Sequence, residues 1–337
     1  MGSKPRLFVG NFDFEHRLAH GGGDLPRKLE RRNAILAPSW LLIAKEQDAI
    51  WWPFREAPPS SERLTAAGLP CVAFIADPRP LATSYQLVFW AEDAWARRIS
   101  TEWGFSWEGC DPAIIKVANS RRLQTELEQE FGVAPEGLRL VTNLQELTDA
   151  IGSLNDETGW ILKAEFGGAG RESRRGQGTL SSEVVRWAAK RFMRQLAIVV
   201  EPRLDGIAEA GVQFQIDRAG DVEYLGITEC IARPNGAFTA SRLLTADEEA
   251  IWLDAVTIGG RLARRLAEAG YHGPLGIDAM RFRDKNGVEH LRPIQDINAR
   301  YTMGRLALGL TSRPRLMGQR NGIFAPGDGW WRIEDRG

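Results

Sequence analysis

The chain alternates short apolar runs with breaks marked by glycine, proline or charge, and the spacing of its apolar positions changes along the length. In residues 1–112 the runs are brief. Leu7–Val9, Trp40–Ala44, Ala49–Trp52 and Cys71–Ile75 each predict a short strand. Loops are expected at 21–24 and 58–61, and a helix over Ala91–Ile99. Beyond Ser120 a helical period takes over. Ser120 can cap a helix with Leu123, Leu127 and Phe131 on one face, ended by Gly132. Asn143 and Glu146 resemble a capping box, with Leu144, Leu147, Ile151 and Leu154 behind it. Trp160–Ala164 reads as a strand that runs into a glycine-rich turn, and Val184, Ala188, Phe192 and Leu196 form another helical stripe.

The second half mixes both periods. Ala197–Val200 is a strand ending at Glu201-Pro202. Val212–Ile216, Val222–Ile227 and Glu229–Ala232 suggest an antiparallel meander turning at Ala219-Gly220. Thr245 and Glu248 form a capping box for a long helix whose stripe is Ile251, Ala255, Ile258, Leu262 and Leu266, stopped by Gly270. Two strands follow, Leu275–Phe282 and His290–Asn298, joined by a turn containing Asn286-Gly287, a hairpin signal. Residues 318–337 are polar and glycine-rich and read as peripheral.

Composition narrows the function classes. A length of 337 residues allows two or three domains with substantial cores. With 43 basic against 44 acidic residues, no global charge favours nucleic acid or an anionic membrane. No apolar run approaches the roughly 20 residues that span a bilayer, and the first residues lack the apolar stretch of a signal peptide. Cys71, Cys110 and Cys230 are few, odd in number and far apart, which argues against a disulfide framework and leads to the expectation of a cytoplasmic protein. No Cys-x-x-Cys pair suggests structural zinc, and the four histidines read as structural.

The chemistry concentrates in Ile294-Gln295-Asp296-Ile297-Asn298-Ala299-Arg300. On an extended strand alternate side chains share a face, so Asp296, Asn298 and Arg300 would point together while Ile294 and Ile297 anchor the segment. Two oxygen ligands beside a permanent cation suit a magnesium-bound polyphosphate. The hairpin would bring Asp278 alongside Asp296. Upstream, Lys163 precedes a segment that includes Gly167, Gly168 and Gly170, where small residues let backbone amides approach phosphate oxygens. A mobile surface loop explains that cluster about as well, and it matches neither a Walker loop nor a Rossmann fingerprint. After an apolar strand, the backbone around Glu201, Arg203 and Leu204 could pair with an adenine edge, with Leu204 on the ring, and Glu209 could hold ribose hydroxyls. A strand ending in an exposed acidic turn is the even-weighted alternative. Arg233 could bind a substrate carboxylate and Asn235 orient it, although a turn with a solvated arginine has equal weight. Trp51 and Trp52 favour core packing over a substrate cleft.

The order of these segments, lysine with glycine loop, then apolar-Glu-x-x-Leu, then a strand aspartate, then Asp-x-Asn-x-Arg, resembles the ATP-grasp superfamily over about residues 113–311. The resemblance implies an α/β fold of α+β subdomains that hold ATP between them. The expected organisation is an N-terminal α/β domain (1–112), a small ATP-grasp subdomain with a glycine-rich lid (113–200) and a C-terminal subdomain with the metal site (201–337). It further implies that Lys163 and Lys116 contact phosphates, that the backbone near Glu201 to Leu204 reads adenine, and that Glu209 binds ribose. Asp278, Asp296 and Asn298 would hold one or two Mg2+ ions, and Arg300 would grip the transferring phosphoryl group. Three departures stand out: Asp296 replaces the usual Glu, Glu209 lies one residue late so that Asp205 competes for the ribose, and Ser120-Arg121-Arg122 replaces Ser-Asp-Lys. The implied activity is ATP-dependent joining of a carboxylate to an amine, with ATP and Mg2+ as cofactors. Small-molecule carboxylates and amines are the expected partners, without nucleic acid or membrane, and a homodimer is left open. A small-molecule kinase on the same scaffold and a non-catalytic nucleotide-binding protein are the alternatives.

Overall fold

The computed structural model describes residues 4–21, 25–154, 159–167, 172–232, 238–316 and 322–326. Three sheets follow one another along the chain. The first is parallel, in the order β3-β2-β1-β4, from Arg6–Val9 (β1), Ala49–Trp51 (β2), Ala73–Ile75 (β3) and Gln86–Phe89 (β4). It carries helices at Phe14–His20 (α1), Arg27–Leu36 (α2), Ser61–Ala66 (α3) and Ala94–Glu102 (α4). Parallel strands need crossovers, and α1, α2 and α3 lie in the connecting segments, while α4 leads out of the sheet.

The second sheet is antiparallel, in the order β5-β8-β6-β7, from Arg139–Val141 (β5), Trp160–Ala164 (β6), Ser173–Gly176 (β7) and Ile198–Pro202 (β8). Helices Pro112–Ala118 (α5) and Arg121–Glu130 (α6) lead into it, and Leu144–Gly152 (α7) and Ser182–Phe192 (α8) pack their apolar stripes on it. The third sheet is antiparallel, in the order β13-β12-β9-β10-β11-β14. Its strands are Asp205–Ile216 (β9), Val222–Ala232 (β10), Phe238–Leu243 (β11), Gly273–Arg283 (β12), Glu289–Asn298 (β13) and Ile323–Phe324 (β14), with helices Ala246–Ala250 (α9), Leu253–Glu268 (α10) and Met303–Ala307 (α11). Among the described residues no helix is long and apolar enough to cross a membrane, and all three cysteines are free.

Several local expectations are met for their stated reasons. The Ser120 and Asn143 side chains accept from the third backbone N–H of their helices, and Thr245 with Glu248 forms the complete capping box. Gly270 and Gly287 take positive φ angles of 86° and 78° where the helix stops and the hairpin turns. Other expectations fail. Trp40–Ala44 is not a strand. Ala37–Leu42 forms a 3-10 helix with Pro38 in its first turn, and Trp40, Leu41 and Leu42 are all fully buried within it. The helix placed at Ala91–Ile99 begins instead at Ala94, where Asp93 caps it. The long helix after Thr245 is two helices, since Ile251 turns outward at 52% exposure while Trp252 turns in. Leu144 likewise lies outside its stripe. The strands foreseen at 222–227 and 229–232 are one, bulged near Gly226.

The first and third sheets share a single apolar core. Trp40 is fully buried, stacks on Phe8 at 4.7 Å and meets Tyr301 edge-on at 5.0 Å, and Tyr301 N–H donates to the Trp90 carbonyl at 3.0 Å. The segment just after β13 is therefore fastened to the N-terminal region. Trp40→Ala is expected to destabilise the protein by about 3–5 kcal/mol, read as a lowered urea midpoint.

Candidate active site

Strands β12 and β13 build the centre. Their register sets Asp278 directly opposite Asp296, and Gly276 opposite Asn298. Directly opposed residues share a face of the sheet, so both carboxylates project together. Ile294 and Ile297 are buried beneath them. Asn298 Nδ2 donates to Asp278 Oδ2 at 3.0 Å, and Asn298 Oδ1 accepts from Arg300 Nη2 at 2.8 Å. The strand ends at Asn298, so Arg300 is delivered by a turn rather than by strand alternation, its N–H bonded to the Asn298 carbonyl. Asn119 holds that turn through both the N–H and the carbonyl of Ala299 (3.0 and 3.3 Å). Arg300 also pairs with Glu15 of α1 at 2.5 Å.

These groups line a cavity of about 540 Å3. Lys163, Glu209, Asp278, Asp296, Asn298 and Arg300 all reach it. Glu209 Oε1 accepts from Gln295 Nε2 at 3.3 Å, whereas the rival Asp205 is exposed and away from the cavity. Lys116, Glu201, Arg203 and Leu204 are not among the lining residues. Lys116 instead lies over the Phe166 ring at 5.6 Å, beside the start of the glycine-rich segment. The Arg203 N–H is already donated to the Gly159 carbonyl at 3.0 Å, so that amide is not open to a base edge. Gly168, Gly170, Arg233 and Asn235 lie outside the described residues. Trp51 packs on Trp95 and Trp103, and Trp52 is buried, as core side chains do.

Glu201 is not an exposed acidic turn. It is 3% exposed, and its two oxygens are divided between Lys163 Nζ at 2.7 Å and Arg292 Nη1 at 2.9 Å. Arg292 in turn holds Glu128 of α6 with two bonds, 2.8 and 3.1 Å. Two cations and two anions thus neutralise one another in the interior. Burial alone would raise the Glu201 pKa, but Arg292 and Lys163 overcome it and hold it at about 2. Burial dominates at Glu128 and raises its pKa despite Arg292.

Asp278 shows the opposite imbalance. Burial, then the nearby Asp296 and Glu209 charges, push its pKa to about 7. Hard oxygens under mutual repulsion are what a divalent cation relieves. Space is available, because Gly211 on β9 stands where a methyl group would come within 3.6 Å of Asp278 Oδ1 and 2.9 Å of Gln213 Nε2. Among the described residues no three His, Cys, Asp or Glu side chains cluster to hold a metal alone. The donor set therefore fits an ion that brings further oxygens with it, as magnesium on a nucleotide does. Asn298, with its oxygen turned to Arg300, is the least available of the three foreseen ligands.

Several cavity residues were not foreseen. Glu15, His16 and His20 come from α1, and Arg121 from the start of α6. His16 and His20 stand one helical turn apart with rings stacked at 4.4 Å, a spacing visible in the sequence but without meaning until α1 is recognised as a helix.

No protein-family model matches the sequence, and comparison with curated proteins finds no match. Solved structures do match. N5-carboxyaminoimidazole synthetase from Staphylococcus aureus, complexed with ADP, is 14% identical with a TM-score of 0.50, over 89% of this chain and 71% of that one. Biotin carboxylase from Campylobacter jejuni is 14% identical with a TM-score of 0.56, over 92% and 68%. The biotin carboxylase domain of Hydrogenobacter thermophilus 2-oxoglutarate carboxylase, in complex with MgADP, ADP and bicarbonate, is 16% identical with a TM-score of 0.52, over 90% and 65%. The chain has the ATP-grasp fold, as its motif order implies.

Two measurements check the electrostatics. Between about pH 4 and pH 7 folded Asp278 keeps a proton that the unfolded chain has lost, so its contribution to stability falls as pH rises across that window. Asp278→Asn should accordingly raise the metal-free melting temperature at pH 8 and leave it nearly unchanged at pH 4. In the buried network, Arg292→Met should cost about 3–5 kcal/mol. Adding Glu128→Gln should recover part of that loss, seen as a favourable coupling in urea unfolding.

Proposed function

We propose that the protein is an ATP-dependent ligase that activates a substrate carboxylate as an acyl phosphate and joins it to an amine. The observation that carries this reading is the meeting of Lys163, Glu209, Asp278, Asp296 and Arg300 in one cavity, from segments up to 137 residues apart in sequence. The ATP-grasp fold supports it, and so do the names of the similar structures, which include a synthetase with ADP and a carboxylase domain with MgADP and bicarbonate.

In this reading a carboxylate oxygen of the substrate attacks the γ-phosphorus of ATP and ADP departs. The amine then attacks the acyl carbon, phosphate leaves with its electron pair, and the amine gives up a proton. The protein's part is positioning and charge. Glu209 would hold the ribose. Lys163, steadied by Glu201, would face the phosphates as a point charge. Asp278 and Asp296 would hold magnesium, which supplies neutralisation of phosphate charge when bound. Arg300 would leave Glu15 for the transferring group, with Asn298 keeping its guanidinium aligned. Glu172, Ser173 and Arg175 line the cavity, where they would help keep water from the acyl phosphate.

A screen for phosphate release across amino acids, other small carboxylates and bicarbonate, each with and without amines, tests the activity. Release that depends on both partners is the expected result. A phosphorylated product that accumulates would instead establish a kinase. Asp296→Ala and Arg300→Ala are each expected to lower kcat about a hundredfold or more, the scale of one lost transition-state charge contact, with the circular dichroism spectrum retained.

A further inference from the structure

Arg121 opens α6 just behind its Ser120 cap and is only 9% exposed. Its Nη1 donates to the Ala164 carbonyl at 2.7 Å and its Nη2 to the Gly167 carbonyl at 2.9 Å. The same Nη2 lies 3.4 Å from Asp296 Oδ2, and the backbone N–H of Arg121 donates to the Glu165 carbonyl. Its Nε is buried without a partner. A permanent cation is thus fixed between the root of the glycine-rich segment and a foreseen metal ligand. Arg and Asp occupy two positions, 121 and 296, at which the motif departs from the superfamily pattern.

Paired ions stand about 4 Å apart, and a carboxylate that bridges them gives one oxygen to each. Asp296 has a short arm, and one of its oxygens already faces Arg121. Arg121 pairs with Asp296 and offsets its charge. What remains suits one divalent ion completed by phosphate oxygens, and leaves a second ion without a bridging carboxylate.

We infer that this site takes a single divalent cation, between Asp278 and the other oxygen of Asp296, and that the Arg121 guanidinium stands in for a second ion beside the phosphates. This deepens the nucleotide reading and rests on it. Because Arg121 also holds the Gly167 carbonyl, the cation ties the phosphate side of the cavity to the base of the glycine-rich segment.

The test is a titration of the whole chain with Mn2+, in the presence and absence of the non-hydrolysable β,γ-imido analogue of ATP, with free ion followed by electron paramagnetic resonance. One nucleotide-dependent Mn2+ per chain is expected. Arg121→Gln should bind the analogue about tenfold more weakly at fixed Mn2+, the scale of one hydrogen bond to a charged group, and Arg121→Lys should fall between the two. Two nucleotide-dependent ions in the wild-type protein, or unchanged affinity in folded Arg121→Gln, overturns this inference and leaves the ligase reading standing. Failure of the wild-type protein to bind the analogue overturns the nucleotide reading and this inference with it. The wild-type count decides the matter even if the Arg121 variants do not fold.

Discussion

The interior network of Glu128, Arg292, Glu201 and Lys163 joins the second sheet, the third sheet and α6. Arg292 belongs to the third sheet, Glu201 and Lys163 to the second, and Glu128 to the helix that leads into the second. Charges withdrawn from water at this depth are tolerable only when paired in good geometry. The bidentate bond to Glu128 uses Nε and Nη2 of Arg292 and leaves Nη1 to donate to Glu201, and Glu201 keeps its second oxygen for Lys163. The position of the cavity lysine is therefore set by an arginine in another sheet. Arg292 lies four residues before Asp296 on the same strand, so the proposed phosphate lysine and the proposed metal strand are held to a common frame.

The cavity itself is assembled from three directions. The third sheet gives the carboxylates, the second gives Lys163 and the approach to the glycine-rich segment, and α1 gives Glu15 with the stacked histidines. Asp13 accepts from Arg17 and Asn33, and Arg17 reaches Asp93 at 2.7 Å, so α1 is fixed in place by its own ion pairs. The pairing of Glu15 with Arg300 makes the N-terminal region part of the same electrostatic system as the end of β13. Asp278, by contrast, is buried and faces like charges, and burial first and those charges second raise its pKa. One end of the site is neutralised by the protein, and at the other the carboxylates face one another.

Much of the second half of the fold was legible because its signals are local. An Asn-Gly turn between two apolar runs, a Thr with Glu three residues on, and a glycine after a helical stripe each have a short-range physical cause. The N-terminal region was harder. Helices α1 and α2 bury few apolar side chains and are held by polar bonds such as Asn33 to Asp13, which no periodicity reveals. Trp40 to Leu42 is apolar without alternation, and a run of that kind suits a buried 3-10 turn as well as a strand. The same limit hid Arg121, whose value lies in carbonyls more than 40 residues away.

The helix caps and the Asn286-Gly287 turn follow from neighbours within a few residues, and the chain alone was enough to predict them, whereas a bulge between Asp278 and Met280 decided that Asp278 stands against Asp296. Which charges are paired was decided by folding. Glu201 looks the same in sequence whether it is a solvated turn or the shared anion of Lys163 and Arg292, and Arg300 looks the same with or without Glu15. Those outcomes depend on distances between side chains 38, 91 and 285 residues apart, and on the water excluded around them, and neither is written in any local pattern.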